Sequence, residues 1–220
     1  MDISGMLTYA LIAAAAACEL AASWREDMEW RARFKPFIVL TILFRYLLAA
    51  SPVRGMFVAA LIFCLLGDLL LIPRKTYYAG GAAFALAHVM FAITYISLST
   101  AGFGGITAFV LLPAAIYAAN AYFITARLRS HVHRNVVRVS ICYLATVSVM
   151  SAAAFALALS LGSAAGWLIF AGSVFFVASD SVLLIRNYRK DIVIPKVYFL
   201  VMLTYIIALV LMTAGMIGVD

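Results

Sequence analysis

Charge is what this chain has least of. Only 11% of its 220 residues are Asp, Glu, Lys or Arg, whereas 67% are hydrophobic. A soluble domain of this length needs far more polar residues to cover its surface, so the composition excludes that class and leaves a membrane protein. Cysteine is scarce too, and Cys18, Cys64 and Cys142 each fall inside an apolar run. They read as reduced cysteines acting as small hydrophobes, with neither a disulfide nor a metal site expected of them. The start, Met1-Asp2-Ile3-Ser4, lacks a cationic region. Leu7 to Ser23 therefore reads as a first span and not as a cleavable signal peptide.

The few charges are unbalanced, at a net +7. In a soluble protein that excess would point to nucleic acid. Here the basic residues sit in short loops between apolar runs, where they set topology, and no nucleic-acid partner is expected. A helix needs about 20 residues to cross the hydrocarbon core. The runs 5–23, 36–52, 55–73 and 197–219 fit one crossing each. Two runs are too long for one crossing. No formally charged residue lies between Lys75 and Arg127, and only Asp180 lies between Arg138 and Arg186. Turn-prone breaks at Ser99–Gly105 and at Leu161-Gly162-Ser163 divide them into 77–99, 103–126, 138–160 and 164–185. The expected fold is an all-α membrane protein, a single integral domain over 1–220 with eight transmembrane helices.

The loops then sort by charge. Arg25, Arg31, Arg33 and Lys35 occupy the first, Arg74 and Lys75 the third, Arg127, Arg129, Arg134 and Arg138 the fifth, and Arg186, Arg189, Lys190 and Lys196 the seventh. Only Arg45, inside a span, and Arg54, in the second loop, fall elsewhere. The positive-inside bias puts loops one, three, five and seven in the cytoplasm and both termini on the non-cytoplasmic side. The expected location is a bacterial inner (plasma) membrane.

Depth follows from distance along the helix. Glu19, Asp68 and Asp180 each lie six residues before an arginine, Arg25, Arg74 and Arg186 respectively, on spans that run toward the cytoplasm. All three carboxylates are then expected roughly 9 Å inside that boundary. Asn120 is seven residues before Arg127, close to the same level, and Lys35 at the start of its span can reach the layer. Intramembrane acids usually face the bundle interior and mark a pathway or reactive site. The plainer reading is that each carboxylate only ties helices together by hydrogen bonds. Three at one depth favour a functional cavity open to the cytoplasm. His88 lies somewhat deeper and, being alone, reads first as a hydrogen-bonded helix contact. Zinc usually takes three or four ligands with several His or Cys among them, so no metal is expected, and no other cofactor. Arg45 lies six residues from Ser51 and is expected to snorkel to the outer face.

Several local patterns then fall into a known order. Lys35-Pro36 opens a span, Gly67-Asp68 comes near the end of the next with Pro73 after it, and Gly81, Phe84 and His88 form a G-x-x-F-x-x-x-H pattern. Gly172 and then Phe176-Val-Ala-Ser179-Asp180 follow later. Over nearly the whole chain this resembles the YhhN family of integral membrane lysoplasmalogenases. The sequence departs from the family pattern at Phe91, where a tyrosine is frequent, with Tyr95 one turn on. It departs again at Leu209, four residues after Tyr205, where glutamine or histidine is frequent. The resemblance implies hydrolysis of the vinyl ether bond of a lysophospholipid-type substrate, giving a fatty aldehyde and a glycerophospho head group. That chemistry needs a protonated carboxyl to protonate the alkene carbon and a second carboxylate for the resulting oxocarbenium ion or for water. Asp68 and Asp180 are expected to be this catalytic pair. Lys35 and His88 would position phosphate or tune the acids, with Glu19, Asn120 and Tyr205 in support. A proton-coupled transporter and a non-catalytic lipid-binding protein remain as alternatives, since both also bury acids. Membrane lipids are the remaining expected partners, and the sequence does not specify an oligomeric state.

Overall fold

The computed structural model describes residues 3–99, 133–188 and 191–219, together with Ala118, Ala119, Tyr122 and Ala126. Among the described residues the chain forms α1 (Ile3–Arg25), α2 (Met28–Ala49), α3 (Gly55–Leu70), α4 (Tyr77–Leu98), α5 (Arg134–Leu161), α6 (Ala164–Tyr188) and α7 (Val197–Ile217), with a 3-10 turn at Arg74–Thr76 before α4. Apart from those four residues the expected span 103–126 lies outside the described residues, and Asn120 with it. Five helices, α1 and α4 to α7, are long and apolar enough to cross a membrane. The chain is a multi-pass helical membrane protein.

Two boundaries differ from the sequence reading. Helix α2 starts at Met28, eight residues before the expected span, because Asp27 accepts hydrogen bonds from the backbone N–H groups of Glu29 and Trp30 and caps it. Arg31, Arg33 and Lys35 therefore stand on a helix and not in a loop. Pro36 lies inside that helix. It deprives the Ala32 carbonyl of its usual donor, and the remaining ladder tolerates the loss. Helix α3, in turn, stops at Leu70 and not at Pro73. The residue before a proline is driven away from helical geometry, and the chain here turns three residues ahead of it.

Each described helix packs on the next in chain order, α1 returns to α7, and α7 also meets α2. The result is a closed ring whose residues are sorted inside out relative to a soluble protein. Leu7, Leu48 and Val149 are 61%, 54% and 58% exposed on the outside, while Glu19, Asp68 and His88 are 0% exposed within. Lipid offers helices no hydrophobic reason to associate, so close packing must supply it. At the α6–α7 seam it does. A Cβ on Gly172 would come within 2.7 Å of the Ala208 carbonyl oxygen, and one on Gly215 within 2.6 Å of that of Ala165.

Candidate active site in the polar layer of the bundle

Asp68 projects from the last turn of α3 into the junction of α2, α3 and α7. Lys35, about two turns into α2, brings its Nζ to 3.0 Å from Asp68 Oδ1. Tyr205 of α7 donates its phenol O–H to Oδ2 at 3.0 Å. A fully buried carboxylate costs several kcal/mol unless both oxygens are matched in this way. The extension of α2 toward Met28 is what holds Lys35 in place.

Asp180 on α6 has different company. Tyr143 of α5 donates its O–H to Asp180 Oδ2 at 2.8 Å, and His88 Nε2 of α4 lies 3.4 Å from the same oxygen. The other ring nitrogen of His88 is 3.5 Å from Thr146 Oγ1. The imidazole stands edge-on to Phe176 and Tyr143, with centroids 4.9 and 5.5 Å away. Asp68 and Asp180 thus stand on different helices, each held by its own tyrosine. Between them lie the rings of Phe84, Phe176 and Tyr205, each edge-on to the other two at 5.4 to 6.4 Å. Gly67 makes room for this layer, since a Cβ there would stand 2.6 Å from the Phe84 ring.

Glu19 of α1 joins the polar layer from the other side. Ser23 Oγ donates to its Oε1 at 3.1 Å, and Arg31 Nε lies 3.4 Å from that oxygen. Beyond it, the guanidinium carbons of Arg31 and Arg186 each lie 4.1 Å from the Tyr198 ring centroid. Asn187 carries the network to Tyr77, donating to its hydroxyl at 2.7 Å. Glu19, Lys35, His88, Asp68, Asp180 and Tyr205 are thus gathered at the end of the bundle that carries Arg31 and Arg186. Arg45 is elsewhere. Its guanidinium carbon sits 4.8 Å over the Tyr9 ring, with Nε buried.

An apolar cavity of about 440 Å³ lies between α4, α5 and α6, lined among others by Tyr77, Gly81, Phe84, Tyr143, Thr146 and Tyr188. Neither aspartate is among the residues that line it. Of its wall residues, Tyr143 contacts Asp180, Thr146 contacts His88, and Phe84 packs edge-on against Tyr205, the partner of Asp68. Among the described residues no group of three or more His, Cys, Asp or Glu is placed to hold a metal ion.

Tyr143, Thr146, Arg31 and Tyr198 escaped the sequence reading. A signal for Tyr143 existed, because it lies five residues inside Arg138, almost the depth at which each acid lies inside its own arginine. Arg31 carried a misleading one, since its neighbours made it look like part of a charged loop. Phe91 packs on Phe57 of α3, at 5.2 Å between centroids, and does not face either carboxylate.

Fold and site together define a class: a multi-pass α-helical membrane protein that holds two buried aspartates, from different helices, in polar pockets inside the bundle. Within that class the chain belongs to the YhhN family, whose sequence profile matches residues 30–216. The matched stretch contains Lys35, Asp68, His88, Asp180 and Tyr205 and leaves Glu19 outside. Neither a curated protein nor a solved structure matches the chain.

Proposed function

We propose that this protein hydrolyses the vinyl ether bond of lysoplasmalogens, such as lysoplasmenyl-ethanolamine or -choline, with Asp180 as the acid and Asp68 as the carboxylate. The observation that carries the assignment is the difference between their partners. Asp68 faces the Lys35 ammonium at 3.0 Å, a partner that favours its anion. Asp180 faces a phenol and an imidazole, weaker partners for an anion than an ammonium, so a proton is held on it more readily than on Asp68.

In this scheme Asp180 delivers its proton to the alkene carbon farther from the ether oxygen. The carbon attached to that oxygen becomes part of an oxocarbenium ion, stabilised by the Asp68 anion. Water adds to it and passes a proton to carboxylate, forming a hemiacetal. The hemiacetal hydroxyl then gives up its proton as the bond to the glycerol oxygen breaks, that oxygen takes up a proton from the carboxyl, and a fatty aldehyde leaves beside the glycerophospho head group. No redox partner is required. His88 orients Asp180, and Tyr205 with Lys35 fixes Asp68. The end bearing Arg31 and Arg186 faces the cytoplasm under the same reading.

The test is aldehyde release from lysoplasmenyl-ethanolamine by purified protein in detergent. Asp180→Asn and Asp68→Asn are each expected to lower the rate by about 10²- to 10⁴-fold, the range of a positioned acid or base. Full activity in both variants would remove the paired-carboxylate mechanism. A wild-type protein inert toward every head group would favour a transport or lipid-binding role.

A further inference from the structure

The G-x-x-F-x-x-x-H pattern on α4 contains a glycine whose role is not packing. Gly80, its neighbour, is the packing residue, for a Cβ there would meet Leu71 side-chain and backbone atoms at 2.9 to 3.0 Å. At Gly81 an added Cβ would meet nothing within 4 Å. Glycine in mid-helix sacrifices helix propensity, so its presence where there is room for a side chain asks for a reason. The reason lies in front of it. Gly81 forms part of the wall of the 440 Å³ cavity, and every methylene placed there would occupy the cavity itself.

Three features of that cavity select its occupant. Its wall is almost wholly apolar, built from leucine, alanine, valine and tyrosine rings of α4, α5 and α6. Its polar wall residues include Tyr143 and Thr146, the two that contact Asp180 and His88 on their far side. Its rim includes Tyr78 and Val139, 62% and 54% exposed on helices that cross the membrane. We propose that this cavity holds the hydrocarbon chain of a single-chain lipid, its ether end against Tyr143 and Thr146, and that Gly81 sets the space available to the chain. The proposal rests on the reading that the aspartates act on such a lipid, but occupancy is measurable without turnover.

Cys142 supplies the probe, because it is exposed and forms part of the same wall. Cys64 is buried, so replacing Cys18 by serine leaves Cys142 as the reactive thiol among the three cysteines. Labelling by a maleimide would be timed in detergent with added 1-O-alkyl lysophospholipids, saturated ethers that cannot undergo vinyl ether hydrolysis. Octadecyl lipid at ten times its Kd is expected to slow labelling by about tenfold, as simple occupancy requires. Gly81→Leu should abolish that protection while decyl lipid still protects, and Gly81→Ala should fall between. Among vinyl ether substrates, Gly81→Leu should shift preference toward shorter chains. Equal labelling with and without octadecyl lipid, in protein that folds and binds detergent normally, would overturn the chain site. So would protection that is indifferent to Gly81→Leu. Protection without aldehyde release would leave the chain site standing and defeat the hydrolase reading.

Discussion

Lys35 and Asp68 depend on one another more than either depends on its helix. The ammonium is largely buried and the carboxylate wholly so, 3.0 Å apart. Removing one charge leaves the other stranded in a medium that cannot hydrate it. Lys35→Met is therefore expected to destabilise the protein by about 3–5 kcal/mol, and Lys35→Met with Asp68→Asn by clearly less than the sum of the two single changes. Thermal unfolding in one detergent for the four proteins of the cycle measures the coupling, and strict additivity would show that the pair is not the unit described. The partnership was only half readable beforehand. Counting residues to the nearest arginine put Asp68, Asp180 and Glu19 in one layer, because a helix rises evenly and the arginines mark a common boundary. Counting could not reveal which side chains face one another across helices, since that depends on helix rotation. So Tyr143, which donates to Asp180 at 2.8 Å, went unnoticed, while Tyr205 was singled out without its partner.

Helices α6 and α7 meet more closely than any leucine-lined seam would permit, because Gly172 and Gly215 face backbone atoms of the partner helix. A methyl group at Gly172 would need the two helices to separate, taking Ser179 off the Val201 carbonyl, to which it donates at 3.0 Å, and loosening the helix that carries Asp180. Gly172→Ala is expected to cost about 1–3 kcal/mol, the usual penalty for overpacking. Gly81→Ala on α4, where the Cβ meets open space, should cost nothing and can serve as the control. A Gly172→Ala protein as heat-resistant as the wild type would contradict the close approach. The ends of the helices were less readable than their existence. Long charge-free runs identify α4, α5 and α6 because lipid tolerates few alternatives to an unbroken helix. Helix α2 was placed too late in the chain, since its first turns carry Arg31, Arg33 and Lys35 and look like loop. The usable cue was Asp27, a good cap followed by helix-forming residues.

The distribution of charge over the whole chain predicts its orientation. Cations concentrate at one end of the bundle, together with the Glu19–Arg31 and Lys35–Asp68 pairs, so that end is expected on the cytoplasmic side. Two exposed loop residues report on it from opposite directions. Val193 lies between α6 and α7 on the basic side, 85% exposed, and Val53 lies between α2 and α3 on the other, 47% exposed. In a chain with Cys18, Cys64 and Cys142 replaced, Val53→Cys should react with a membrane-impermeant maleimide added to intact spheroplasts. Val193→Cys should react only after the membrane is permeabilised. The reverse pattern would turn the molecule over, put the aspartates near the outer face, and require substrate to arrive from the outer leaflet. Labelling of both from one side would show that an even number of crossings, and not the expected odd one, lies between the two residues. The orientation matters to the chemistry, because a carboxyl that donates a proton at each turnover must regain it from the compartment nearest to it.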